Sequence, residues 1–164
     1  MNRAALTGTL LVVAHMVSMH TAVAQKSATE FRAMIRESNI RGNVPDPAHF
    51  RTFLDRDLRA YFSSKMAEPV SVEYQLLRDE PTQTAFWYPI YFAWVRVRNH
   101  KHKLVQGAVK MTAIDKKEFD ISDFFSEADI RRDPRVLEKA YPPAACEILR
   151  KKVGVVAGSK HTPR

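Results

Sequence analysis

Two acidic residues with apolar neighbours are the first candidates for acid–base chemistry. Asp120 and Asp123 are separated by two residues, and three phenylalanines lie beside them: Phe119, Phe124 and Phe125. A carboxylate held against apolar surface can serve as a general base, but Asp123 is more simply interpreted as a helix cap or turn residue after the last strand. The sequence assigns no catalytic residue. If the protein is an enzyme, Asp120 or Asp57 is the candidate general base.

An aromatic run from Phe86 to Arg98 is the strongest candidate for a binding surface. Alternate side chains of a strand point to opposite faces of the sheet. We expect the first row to pack against helices, because valines continue it while arginines end the second. The first row is Trp87, Tyr91, Ala93, Val95 and Val97, and the second is Phe86, Tyr88, Ile90, Phe92, Trp94, Arg96 and Arg98.

The second row predicts a ligand or partner face formed by Tyr88, Phe92, Trp94 and Arg96. Aromatic rings beside guanidinium groups suit a stacked ligand or a partner subunit better than bulk water. Two alternatives remain open. The C-terminal segment can cover this row as ordinary core, and a bulge at Pro89 would exchange the two faces on one side of it.

Large apolar side chains on such a face must be shielded from water. Homodimerisation is the simplest way to bury them, since symmetric pairs are the commonest oligomers. Binding of a small apolar ligand is the competing explanation. The net charge of +8 favours an anionic surface as a further partner. Because no recognition motif accompanies the charge, we predict no specific nucleic-acid binding.

Histidine and cysteine occur without the spacing of a metal or catalytic site. His100 and His102 lie in a lysine-rich turn with no third ligand in view. The single cysteine, Cys146, precludes an intramolecular disulfide and is interpreted as an inert thiol. The sequence contains no glycine-rich phosphate loop, nucleophile elbow or dinucleotide fingerprint. It therefore predicts no metal site and no cofactor.

The N-terminus has the features of a secretory signal. A positive start with Arg3 precedes an apolar stretch from Ala4 to Val17, which is shorter than the roughly 20 residues of a bilayer span. Small residues then end the segment at Ala24. We predict cleavage near Ala24, a periplasmic or secreted product without a stable membrane anchor, one domain over 25–153 and a disordered tail over 154–164. An uncleaved N-terminal anchor is the alternative.

Capping signals and periodicity place the elements that would carry these residues. Ser27 with Glu30 predicts a first helix, and Asp46 with Pro47 begins a second one. Period-two alternation predicts strands at 70–76, 86–98, 104–115 and 118–121, the two long ones pairing as an antiparallel hairpin. The second helix presents an apolar face of Phe50, Phe53, Leu54, Leu58, Tyr61 and Phe62.

Helical signals return after Ser122. Asp133 followed by Pro134 marks one helix start, and a last helix is predicted from Ala144 to Val153 before Gly154. Ile148 and Leu149 are expected to face inward. The order predicts an α+β domain, with N-terminal helices packed on a curved antiparallel sheet of three to four strands and short C-terminal helices.

The stretch from Ala28 to Phe125 resembles the cystatin-like superfamily, which includes the nuclear transport factor 2-like proteins, in its element order and long hairpin. By analogy with enzymes of that superfamily, the resemblance implies a pocket of Tyr61, Asp57, Tyr91 and Trp94. Its members serve as isomerases, hydrolases, dehydratases, binding modules and assembly domains. We predict a non-catalytic ligand-binding or protein-interaction module, with an isomerase- or dehydratase-like enzyme acting on a small apolar substrate as the alternative.

Overall fold

The computed structural model describes residues 28–83, 87–101 and 103–155. The described part of the chain has the predicted α+β order, with helices first, then a sheet, then short helices. Helix α1 covers 28–43. The later elements are α2 (Pro47–Met66), β1 (Val70–Leu76), β2 (Ile90–Asn99), β3 (Leu104–Ile114), β4 (Glu118–Ser126), α3 (Glu127–Arg132), a 3₁₀ helix (Pro134–Lys139) and α4 (Pro143–Val153).

Helix α2 begins where the sequence predicts. Asp46 is its N-cap and Pro47 occupies the first turn, where a missing N–H costs nothing. The helix ends at Ala67, which adopts a left-handed conformation with φ 54°. Leu54, Leu58 and Phe62 are buried against the sheet, and the other three residues of the predicted apolar face are half-buried beside them.

The sheet is antiparallel throughout, with strand order β1-β2-β3-β4. The predicted long hairpin is confirmed, and its register runs from Ile90 opposite Thr112 to Arg98 opposite Leu104. Strand β2 begins at Ile90, four residues later than predicted, because Pro89 has no N–H to give to the ladder. Phe86 lies outside the described residues.

The last strand is longer than predicted. Strand β4 continues past Ile121 to Ser126, so the prediction of helical structure directly after Ser122 is wrong. The interpretation of Asp123 as a helix cap is also wrong, because Asp123 lies within this strand. The register shifts between Lys110 and Met111, which leaves Ser122 without a partner as a bulge. The bulge interrupts the period-two pattern on which a sequence prediction depends. Ser126 instead caps α3, accepting a hydrogen bond from the Asp129 N–H at 3.1 Å.

Both faces of the sheet are covered. The first core lies between the sheet and α2, and Tyr91, Ala93, Val95 and Val97 of the first row pack there as predicted. The prediction is wrong for Trp87, which comes before β2 begins and is 71% exposed. The second core lies on the opposite face, where Phe92 and Trp94 meet Leu137, Tyr141 and Leu149. The two-sided core that the sequence left open is confirmed.

The prediction that the second row exposes its aromatic rings is wrong for Phe92 and Trp94. Each is only 5% exposed, because the C-terminal helices fold back over them. Helix α4 turns Ala145 and Leu149 toward the sheet, so Leu149 is buried as predicted while Ile148 is 41% exposed. Among the described residues, no helix combines the length and apolar character needed to cross a bilayer.

Candidate functional site

A small open cleft lies where the end of α4 meets the edge of the sheet. Its volume is about 180 Å³, and Trp94 and Arg96 of β2 both line it. These are two of the four residues that the sequence selects for ligand or partner binding. The other lining residues are Glu73, Tyr74 and Gln75 of β1 and Lys152 of α4. We name these six residues the Trp94 cleft.

Strand pairing brings the floor of the Trp94 cleft together. Gln75 lies opposite Trp94 in the β1–β2 register, and Glu73 lies opposite Arg96. Trp94 and Arg96 share a face of β2 because they are two residues apart. Helix α4 covers Trp94 and ends at Gly154, whose φ of 74° stops the helix. Arg96 remains exposed, so the cleft has a buried aromatic end and an open cationic end.

Lys152 lies over the buried aromatic end of the Trp94 cleft. Its ammonium group lies 5.8 Å from the centroid of the Trp94 ring, within reach of a cation–π interaction. The same nitrogen donates a hydrogen bond of 2.8 Å to Oε1 of Gln75. These two contacts hold a positive charge over the indole and link α4 to β1.

Arg96 supplies a second cation at the open end. Within the part of the chain that the structure describes, its guanidinium forms no ion pair or hydrogen bond, although Glu73 is its neighbour across the strand pair. A guanidinium presents paired N–H donors that match the two oxygens of a carboxylate or phosphate. With Lys152 and Glu73, the lining carries one more positive than negative charge, so it favours a single anionic group.

The other two predicted binding residues lie elsewhere. Phe92 is buried in the second core, where its ring is 5.1 Å from that of Tyr141. Tyr88 is 49% exposed and comes before β2 begins. The structure therefore joins Trp94 and Arg96 in one cleft and separates Tyr88 and Phe92 from it.

The two candidate bases lie on different elements, Asp57 on α2 and Asp120 on β4. Asp57 extends from α2, and its Oδ2 accepts a hydrogen bond of 2.7 Å from the Phe119 N–H, while Oδ1 pairs with Arg56 at 2.7 Å. This carboxylate joins α2 to the sheet. Asp120 is exposed and follows Phe119, whose side chain is in the first core, so Asp120 points to the opposite face. The structure does not bring the two together.

The pocket implied by the resemblance is not assembled in the structure. Tyr91 belongs to the first core, where burial raises its pKa to about 12. Trp94, three residues further along β2, belongs to the second core on the other side of the sheet. Tyr61 packs with the first core, and burial raises its pKa. The sheet itself separates Tyr61 and Tyr91 from Trp94.

The histidine and cysteine positions have structural surroundings. Nδ1 of His100 lies 2.8 Å from Oε2 of Glu68 at the hairpin end, and His102 lies outside the described residues. Cys146 is buried and its Sγ donates to the Tyr141 carbonyl at 3.4 Å. Burial raises the pKa of this thiol, which keeps it in the unreactive protonated form. Across the described ranges, no three His, Cys, Asp or Glu side chains are grouped to hold a metal ion.

Sequence reasoning missed four lining residues. Glu73 and Gln75 were visible only as the polar row of an amphipathic strand and Tyr74 only as part of its apolar row. Lys152 was visible only as one of the basic residues in the last turn of a helix. Their proximity to Trp94 depends on the β1–β2 register and on the return of α4. No protein-family model, curated protein or solved structure matches the chain, so its function is argued from this site.

Proposed function

We propose that the chain is an exported, non-catalytic binding domain whose Trp94 cleft holds a small organic anion with a planar ring. The observation that carries the proposal is the arrangement of charge around the indole. Lys152 lies over the Trp94 ring, and Arg96 has no partner among the described residues. An anion that enters the cleft gains an electrostatic partner without breaking an existing ion pair of Arg96.

The cleft is small and open to water on one side, so it suits a small ligand. A cavity of about 150 Å³ accommodates benzene, and the Trp94 cleft measures about 180 Å³. A cleft of this size suits one ring with an acidic substituent. Pockets for drug-sized molecules begin near 300 Å³. The ring would lie along the indole edge and the acidic group between Lys152 and Arg96.

The lining favours holding a ligand over transforming it. Its charged groups are two cations suited to ion pairing and one acid, Glu73, which faces Arg96 across the strands. The carboxylates that the sequence offered as bases are in other places: Asp57 is bonded to Arg56 and the Phe119 N–H, and Asp120 is exposed on the sheet edge strand. A binding module is therefore the function that this geometry supports best.

Phenylphosphonate is expected to shift the indole N–H signal of Trp94 in a ¹H–¹⁵N correlation spectrum. The chain has two tryptophans, and Trp87, which is 71% exposed and outside the cleft, is the internal control. Benzyl alcohol, which has the same ring without the charge, should bind at least about tenfold more weakly, since a charge-assisted contact contributes 1.5 to 3 kcal/mol. Titration of both probes gives the two dissociation constants.

Variants of the lining residues test the same site. Arg96→Gln and Lys152→Gln should each weaken phenylphosphonate binding, whereas Glu73→Gln should strengthen it by removing a like charge. Lys151→Gln is the matched control, because Lys151 is the exposed neighbour of Lys152 and does not line the cleft. Equal shifts at Trp87 and Trp94, or equal affinities in the Arg96 and Lys151 variants, would refute the proposal.

Export is expected to remove residues 1–24. The positive start, the apolar stretch and the small residues ending at Ala24 support this part of the proposal. Intact-mass measurement of the protein released by its own host should give a chain that begins at Gln25. A mass that includes Met1 to Ala24 would favour a retained N-terminal segment instead.

A further inference from the structure

The β2–β3 hairpin, which begins beside the Trp94 cleft, carries no acidic residue. Between Glu80 and Asp115 the sequence contains five lysine and arginine side chains but no aspartate or glutamate. One of these cations, Lys110, pairs with Asp123 at 3.4 Å. The other four are exposed and form no ion pair within the part of the chain that the structure describes: Arg96, Arg98, Lys101 and Lys103. This end of the sheet therefore has a strong excess of positive charge.

Arg98 continues the open cationic end of the Trp94 cleft. Arg96 and Arg98 are alternate residues of β2, so their side chains leave the same face of the sheet about 6.5 Å apart. Trp94 lies on this face too, and the C-terminal helices that cover Trp94 leave both arginines exposed. Two like charges at this separation repel each other, and an anion bound beside them would remove the repulsion.

The strands on either side of Arg98 supply no counter-charge. Ser71 lies opposite Arg98 on β1, and Leu104 lies opposite it on β3. The Ser71 hydroxyl donates to the Arg98 carbonyl oxygen at 3.4 Å and so does not engage the guanidinium. Leu104 is 47% exposed. A ligand group that reaches Arg98 would therefore meet a cation bordered by neutral side chains.

Two acids lie near the arginine pair, and only one of them bears on its charge. Glu127 is already paired with Arg131 at 2.6 Å. Glu73 lies opposite Arg96 in the strand register, and the two side chains form no ion pair with each other among the described residues. The lining of the cleft has one positive charge in excess of its single acid, and Arg98 raises the excess to two.

We propose that Arg98 is a second anion subsite and that the ligand of the Trp94 cleft is an aryl-substituted dianion. This inference rests on the proposed function, because the ring and the first anionic group occupy the positions given there. The second anionic group binds the Arg98 guanidinium about 6.5 Å further along β2, where paired N–H donors match its two oxygens. A dianion neutralises both excess positive charges, whereas a monoanion leaves one of them uncompensated.

Two acids that differ in one terminal group test the proposal. Phenyladipate with its ring beside one carboxylate carries a second carboxylate at the end of the chain, where 2-phenylhexanoate has a methyl group. Titration of the whole protein in about 0.15 M salt limits long-range effects, and the Trp94 indole N–H signal reports binding. The diacid is expected to bind about fivefold more tightly, the gain of one exposed ion pair with good geometry. The amide signals of Arg98 and Leu104 should shift with the diacid only.

Arg98→Gln should lower the affinity for the diacid to that of 2-phenylhexanoate. Arg78→Gln is the matched control, because it removes an exposed cation that does not line the cleft, and it should keep the fivefold difference between the acids. Equal affinities for the two acids in the unmodified protein, a difference that survives Arg98→Gln, or equal effects of the two variants would overturn the proposal. Each of these results leaves the phenylphosphonate site intact. If phenylphosphonate itself does not shift the Trp94 signal, the proposed function fails and the second subsite fails with it.

Discussion

Replacing Leu54 by alanine is expected to lower the free energy of unfolding by about 2 to 5 kcal/mol. Leu54 lies in the middle of α2 with none of its surface exposed, and it belongs to the first core. The substitution removes buried methyl groups and leaves a cavity that the sheet below cannot fill. Urea denaturation should therefore show a lower midpoint with an unchanged slope.

Leu104→Ala is the matched control for this prediction. Leu104 begins β3 and is 47% exposed, so the same loss of side chain should cost less than about 1 kcal/mol. Equal denaturation midpoints for Leu54→Ala and the unmodified chain would contradict the packing of α2 on the sheet.

The features that the sequence predicted well depend on local patterns. The start of α2 follows from Asp46 and Pro47, and its buried face follows from helical spacing, with Leu54 and Phe62 in the core as expected. The long hairpin follows from two apolar runs around a polar turn. Each of these patterns spans about twenty residues or fewer, so local propensity and periodicity are enough to predict the element.

The features that the sequence predicted poorly depend on contacts between residues far apart in the chain. The alternation of β2 puts Phe92 and Trp94 on one face, yet only the return of Tyr141 and Leu149 decides that this face is core. The bulge at Ser122 is likewise set by pairing with β3 and has no glycine or proline to signal it. Two of the six residues of the Trp94 cleft were predicted for the same reason: Arg96 and Trp94 share a strand, whereas Lys152 reaches them from α4.

Substituting alanine for Gly107 is expected to destabilise the protein by about 3 kcal/mol, at the upper end of the range for overpacking. Gly107 lies in β3 opposite Ser126 and Val95. A Cβ at this position would collide with the Phe125 carbonyl oxygen, and it would lie 2.8 Å from the Ser126 Cα and 2.9 Å from Cε2 of Phe124. Two of these obstacles are backbone atoms, so relief requires β3 and β4 to separate beyond the Ser122 bulge. Thermal and urea denaturation should both report the loss.

Gly42→Ala separates this steric effect from the general effect of replacing glycine. Gly42 lies in α1, where an added Cβ meets nothing within 4 Å, so alanine should stabilise the helix by up to about 1 kcal/mol. The two substitutions add the same methyl group and are expected to change the unfolding free energy in opposite directions. A Gly107→Ala protein as stable as Gly42→Ala would mean that β3 and β4 do not approach each other at Gly107 and Phe125, and the course of β4 after the bulge would have to be redrawn.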